Sequence, residues 1–216
     1  VREAWLRGVL DELPFCHQLR TAADLGCGAG YFSGVLQSLG FSVTVFDLQE
    51  ENLRLCWARY PNVTFGKLDL DAEAPNGRYD LVLLFGILYH LQSPLQTILR
   101  LKGAIGGVAI VETRVAAGNQ MACYLFNEKF GPTHNLARVT AVPTFPALVN
   151  IFKHAGFEHV YRPIYQPDHP EWRPEQNGQR HCFIVSRETA NSPEIGYLGP
   201  MIGPEIPRFW TAISRV

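Results

Sequence analysis

Asp24-Leu25-Gly26-Cys27-Gly28-Ala29-Gly30 is the stretch that decides how this chain is read. Before the glycines, Ala22-Ala23-Asp24-Leu25 has the character of a strand. After them, Phe32, Val35, Leu36 and Leu39 fall at i, i+3, i+4 and i+7, one face of a helix that stops at Gly40. A glycine loop between a strand and a helix turns tightly and lets a ligand approach the backbone with no Cβ in the way. A dinucleotide fingerprint would put its third glycine at position 31, where this chain has Tyr31, and this weakens a nicotinamide reading.

Working outward, the same strand-then-helix unit repeats. Ser42 to Phe46 alternates as a second strand and ends at Asp47, followed by a helix with Leu53, Cys56, Trp57 and Tyr60 on one stripe and Glu50 and Glu51 in its first turn. Asp47 comes about twenty positions after Gly26, where a carboxylate accepts ribose hydroxyls. Val63 to Lys67 is a third strand. Just past it, Asp69-Leu70 reaches the same sheet edge, where an acidic side chain takes an exocyclic amine and a backbone N–H faces an adenine ring. Tyr79 to Phe85 reads as a strand buried on both faces. Ser93-Pro94 opens a helix with Leu95, Ile98 and Leu99 that closes at Gly103, and Gly107 to Glu112 is a fifth strand. Thr144 caps a helix with Leu148, Ile151, Phe152 and Ala155 inward and Gly156 at its end, and strands near Phe157 to Tyr165 and Arg180 to Arg187 follow. The expectation is an α/β fold, a doubly wound, mostly parallel sheet of about seven strands with helices on both faces.

Composition agrees with one folded unit. The 216 residues are 47% hydrophobic and 12% aromatic, far from the signature of disorder. The longest apolar run, Leu81 to Leu88, is much shorter than the ~20 residues of a membrane span. Nineteen basic against 20 acidic residues, net charge -1, give no electrostatic footprint for nucleic acid, though a local patch fits inside a balanced total. Five separated cysteines, with no Cys-x-x-Cys, read as reduced thiols. With a start that lacks the layout of a secretory signal, they point to the cytoplasm. His154, His159, His169 and His181 show no ligand spacing, so no metal is expected. Three segments fall outside the strand-helix rhythm: 1–13, a leading helix; 114–143, a candidate substrate lid bearing Arg114, Tyr124 and His134; and 189–216, a Pro/Gly-rich extension. The oligomeric state is left open.

Taken together, Asp24 to Gly30, Asp47, Asp69 and the strand Tyr79 to Phe85 resemble the successive motifs of class I S-adenosylmethionine-dependent methyltransferases, over roughly residues 20 to 187. The resemblance implies a Rossmann-like domain over 1–188 that binds S-adenosylmethionine and releases S-adenosylhomocysteine. It puts Asp24 near the amino group of the methionine part, Gly26, Cys27, Gly28 and Gly30 along the cofactor, Asp47 and Leu48 at the ribose, and Asp69 and Leu70 at the adenine; Phe85 and Tyr31 are the candidates to offer the sulfonium an aromatic face. Leu88 to Leu95, Val111-Glu112-Thr113, Val142-Pro143-Thr144 and Ala155-Gly156-Phe157 are also similar to the tRNA wobble-uridine carboxymethyltransferase family. That family uses a carboxylated form of the cofactor and has a tyrosine near the carboxylate where this chain has Tyr89. Methyl transfer needs mainly orientation and exclusion of water. Where a proton must leave the acceptor, His90 is the first candidate base by its strand-end position, then Tyr89 and Glu112. The leading expectation is in-line methyl transfer to a small molecule or modified nucleoside. The alternatives are carboxymethyl or methyl transfer to tRNA and a noncatalytic cofactor-binding domain.

Overall fold

The strand before the glycine loop lies inside an eight-stranded sheet, in a computed structural model that describes residues 2–13, 16–128, 139–157, 159–163, 179–186 and 210–212. The described strands are β1 (Thr21–Leu25), β2 (Ser42–Asp47), β3 (Thr64–Lys67), β4 (Tyr79–Phe85), β5 (Ile105–Val115), β6 (Cys123–Asn127), β7 (Val139–Pro143), β8 (His159–Pro163), β9 (Gln179–Ser186) and β10 (Trp210–Ala212). The helices are α1 (Arg2–Glu12), α2 (Tyr31–Ser38), α3 (Glu50–Arg59), α4 (Pro94–Leu101) and α5 (Phe145–His154).

The sheet order is β10-β8-β9-β5-β4-β1-β2-β3. Strands β3, β2, β1, β4 and β5 run parallel, whereas β9 is antiparallel to β5, β8 to β9 and β10 to β8. The chain steps outward from β1 to β3 and then returns to place β4 on the other side of β1. This reversal opens a crevice at the carboxyl ends of β1 and β4, where ligands of such sheets bind.

Alternation along the strands splits the core in two. Ala22, Leu81, Leu83 and Ile110 pack with Leu6 and Leu10 of α1, Val35 and Leu36 of α2 and Leu53 of α3. Ala23, Val82, Leu84 and Val111 pack on the other face with Ile98 and Leu101 of α4 and Leu148 and Phe152 of α5. The sheet is therefore covered on both sides, as the apolar strand Tyr79 to Phe85 requires.

Three features differ from the sequence reading. An eighth strand, β10, comes from within the 189–216 extension and pairs with β8, Trp210 opposite Pro163. The 114–143 segment holds an antiparallel ribbon of β6 and β7, and Ala141 N–H donates to Leu91 O at 2.8 Å to hold it beside the end of β4. Ser93 occupies the N-cap of α4 without a side-chain cap bond. Instead Asp71 reaches over to accept from the backbone N–H groups of Gln92, at 3.0 Å, and Ser93, at 3.2 Å, while Pro94 removes one helix donor. Thr144 does cap α5, accepting from Ala147 N at 3.4 Å and donating to Gln120 O at 2.6 Å. Among the described residues no helix is long and apolar enough to cross a membrane.

Candidate functional site

A cavity of about 450 Å³ opens at the carboxyl ends of β1 to β5. Its wall follows the sheet edge: Gly26 and Gly28 after β1, Asp47 ending β2 and Leu48 just past it, Asp69 and Leu70 after β3, Phe85 ending β4 with Gly86, Tyr89 and His90 in the turn that follows, and Arg114 near the end of β5. Most of the residues singled out from sequence thus converge here.

The loop after β1 is held by backbone bonds, Gly26 N and Cys27 N donating to Phe46 O at 2.8 and 3.0 Å. Gly28 and Gly30 take positive φ, 53° and 82°, the region glycine enters without penalty. They serve different purposes. A Cβ on Gly28 would meet nothing within 4 Å, so the loop keeps open space there. A Cβ on Gly30 would stand 2.4 Å from Cys56 Sγ, so Gly30 packs against α3.

Asp47 is a prepared acceptor. Its carboxylate takes Gly28 N at 2.9 Å, Gln49 N at 2.8 Å and Asn52 Nδ2 at 3.1 Å, and 8% of the residue stays exposed. An ionised carboxylate offers about four lone-pair sites, so this arrangement fixes the oxygens and leaves capacity for a further donor such as a ribose hydroxyl. Asp69 accepts from Asp71 N at 2.9 Å, which orders the turn that carries Leu70. Open space beside Gly28, a fixed carboxylate at Asp47 and the apolar Leu48, Leu68 and Leu70 suit a nucleoside with a polar tail.

Asp24, Cys27, Gly30 and Glu112 are set back from this wall. Asp24 is buried beneath the loop and accepts from Ser33 Oγ at 2.6 Å. Burial pushes its carboxyl up to about 6, against the pull of the Ser33 bond. Cys27 packs beside Cys56. The contact between the two sulfurs, helped by burial, raises the Cys27 thiol, and the same contact lowers Cys56. Glu112 is fully buried and accepts from Arg180 Nη1 at 2.6 Å. Burial pulls the Arg180 guanidinium down, but the Glu112 and Tyr89 interactions outweigh it and hold Arg180 above its ordinary value.

Arg180 Nη2 donates to Tyr89 Oη at 3.1 Å, and the Arg114 and Arg180 guanidinium carbons lie 5.4 and 5.2 Å from the Tyr89 ring centroid. His90 packs on Tyr89, ring centroids 4.1 Å apart, and its Nδ1 lies 2.5 Å from Glu128 Oε1 just beyond β6. Phe85 touches Phe32 edge-on at 4.8 Å and Trp5 of α1 at 5.9 Å, and α1 also brings Arg2 to the cavity. Tyr31 turns to Glu3 of that helix, its Oη 2.5 Å from Oε2.

Sequence reasoning missed Gln49, Asn52, Asp71, Glu128 and Arg180. The first two follow from Asp47 itself, since an aspartate ending a strand bonds the N–H two residues on. Asp71 had a signal in Asp69-Leu70-Asp71. Glu128 and Arg180 had none, lying far from their partners in sequence. Tyr124 stands on the ribbon bonded to Gln120 Nε2 at 2.8 Å, and His134 lies outside the described residues. No group of three or more His, Cys, Asp or Glu among the described residues is arranged to hold a metal ion.

Residues 1–162 match the family model described as "Methyltransferase domain". The tRNA U34 carboxymethyltransferase of Actinobacillus pleuropneumoniae serotype 7 is 29% identical over 150 residues, covering 65% of this chain and 46% of its own length. That of Trichlorobacter lovleyi is 30% identical over 152 residues, with the same two coverages of 65% and 46%. The chain therefore spans about half the length of the curated relatives it matches. The N-terminal domain of EvdMO1, crystallised in the presence of SAH and D-fucose, shares the fold at a TM-score of 0.69 and 17% identity, over 87% of this chain and 82% of that one.

Proposed function

The chain belongs to the methyltransferase-domain family, and from that premise we propose that it binds S-adenosylmethionine along the ends of β1 to β4 and methylates a small-molecule or modified-nucleoside acceptor. The observation that carries this reading is Asp47, whose carboxylate is pinned by Gly28, Gln49 and Asn52 beside the open glycine loop. Asp47 with Leu48 would hold the ribose, Asp69 with Leu70 the adenine, and Gly26 and Gly28 the backbone-facing edge of the cofactor. Asp24 supports the loop from beneath through Ser33.

S-adenosylmethionine supplies an electrophilic sulfonium methyl group when bound. What this chain adds is position and dryness. The cluster of Phe85, Phe32 and Trp5 closes one side against water, and Tyr89, held by Arg180, fixes the wall beyond the strand end. Orientation of that kind is worth about 7–11 kcal/mol of a barrier. His90, on the cavity wall, would be the first candidate to receive a proton from an acceptor. Glu112, paired with Arg180, holds Tyr89 through that guanidinium.

Carboxymethyl transfer to tRNA is the second reading. The two curated relatives favour it, as does Arg114 on the cavity wall beside Tyr89, which suits a carboxylate. The mass added to an acceptor separates methyl from carboxymethyl transfer.

Calorimetry with S-adenosylhomocysteine tests the shared part. The wild-type chain binds it, and Asp47→Ala weakens binding by about tenfold or more, the value of a hydrogen bond to a charged group. An Asp47→Ala variant with unchanged affinity and melting temperature would remove the ribose assignment. Methyl release from radiolabelled S-adenosylmethionine against acceptor panels then tests turnover.

A further inference from the structure

We propose that Arg114 anchors an oxyanion carried by the methyl acceptor, so that the substrate is a small molecule bearing a carboxylate or phosphate group. This rests on the reading of the cavity as a methyltransferase centre and names its substrate class.

Arg114 is the one exposed residue of β5, and it lines the cavity. Its neighbour across the ladder is a second arginine: in the antiparallel pairing of β5 with β9, Arg114 stands opposite Arg180. Residues paired in this way point to the same face with Cβ atoms about 4.5–5.5 Å apart, and like charges placed there repel. Compensation is unequal. Arg180 Nη1 lies 2.6 Å from Glu112 Oε1, whereas no carboxylate among the described residues forms an ion pair with Arg114. The Arg114 guanidinium instead packs on Tyr89, its carbon 5.4 Å from the ring centroid, beside that of Arg180 at 5.2 Å. Such packing holds a guanidinium through its plane and leaves the N–H fork at its edge to bond.

An anion relieves the repulsion between the two arginines, and two oxygens of a carboxylate or phosphate match the fork of Arg114. Position assigns this anion to the acceptor. The cofactor in this reading runs along the ends of β1 to β4, past Asp47 and Asp69, and Arg114 comes from β5, one strand beyond β4 in the sheet. A nucleic-acid backbone would need a row of cations, whereas Arg114 answers one anionic group.

The experiment titrates benzoate, phenyl phosphate and benzamide into the chain saturated with S-adenosylhomocysteine. Calorimetry and the Arg114 Nε–H resonance in nitrogen-15 NMR follow binding, for wild type, Arg114→Gln and Arg114→Lys. The wild type binds the two anions and not the neutral amide, and the tighter of the two assigns carboxylate or phosphate. Arg114→Gln weakens anion binding about tenfold or more, the scale of hydrogen bonds between charged groups. Arg114→Lys recovers only part of this, because an ammonium has no fork. The melting temperature of Arg114→Gln equals or exceeds that of the wild type, since the repulsion with Arg180 is gone. No anion binding by the wild type, benzamide bound as well as the anions, or anion binding unchanged in Arg114→Gln overturns the proposal. Weaker binding accompanied by a lower melting temperature also overturns it, by reducing Arg114 to a support for Tyr89. A tenfold loss in Arg114→Gln of affinity for S-adenosylmethionine carboxylated on its methyl group, with no acceptor present, overturns it as well and gives Arg114 to the cofactor. Absence of S-adenosylhomocysteine binding by the wild type instead overturns the methyltransferase reading beneath it.

Discussion

Asp24 shows what a single residue costs a cofactor loop. It is 2% exposed, its bond from Ser33 Oγ ties the start of α2 to the end of β1, and burial raises its carboxyl from 3.8 to about 6. Between those values the folded chain binds more protons than the unfolded one, so Asp24 lowers stability above about pH 6 and stops doing so as the pH falls below about 4. The difference amounts to about 3 kcal/mol at neutral pH. Asp24→Asn removes the titration and keeps an oxygen for Ser33. In urea denaturation the wild type should gain on the Asn variant by about 3 kcal/mol as the pH is lowered from about 8 to about 4; parallel curves would mean that Asp24 does not titrate in this range. The sequence identified Asp24 as important but assigned it to the methionine end of the cofactor by resemblance. What it could not express is depth: burial of a strand-end carboxylate depends on α2 folding back over it.

At the scale of elements, the loop joining β1 to α2 separates binding from packing one glycine at a time. Gly28 borders the cavity with φ 53°, and an added Cβ there has no neighbour within 4 Å. Gly30 has φ 82°, and an added Cβ would sit 2.4 Å from Cys56 Sγ and 3.0 Å from its Cβ. Both alanines carry the left-handed penalty of about 1–2 kcal/mol, but only Gly30→Ala adds a clash with α3. Gly30→Ala should therefore lower the melting temperature well beyond Gly28→Ala. Gly28→Ala, with its methyl projecting beside the bound ligand, should reduce S-adenosylhomocysteine affinity by the larger factor relative to its loss of stability. Thermal denaturation and calorimetry on the same preparations decide this, and equal ratios would erase the distinction. The spacing of three glycines marked the loop as a binding element at sight, while the division of labour needed α3 in place. The ribbon was harder to foresee. Every residue of β6, Cys123 to Asn127, is exposed, so the inward-outward alternation that reveals a strand never forms.

Across the whole molecule, the parallel half was legible because each of its βα units buries a face against the sheet, and burial writes itself into apolar periodicity. Val82 and Leu84 face α4 and α5 while Leu81 and Leu83 face α1 to α3, the pattern read from Tyr79 to Phe85. The short edge strand β10 was not legible, since its three residues lie in a Pro/Gly-rich stretch that gave no periodicity. Charge is the other property that belongs to the whole chain, and it bears on the acceptor. Nineteen basic residues balance 20 acidic ones, and among the described residues that line the cavity Arg2 and Arg114 are the arginines, facing Asp47, Asp69 and Asp71 on the same wall. Affinity for a polyanion grows with the number of phosphates neutralised, each contributing close to one unit of slope in log K against log salt. This chain on its own should therefore bind unmodified tRNA no tighter than the nonspecific range, about 10⁻⁴ to 10⁻⁶ M at physiological salt, with a slope equivalent to about two or three phosphates. Filter binding across a salt series measures both. Submicromolar affinity with a steep slope would show a basic face that the balanced total conceals, and it would move tRNA ahead of a small molecule as the acceptor.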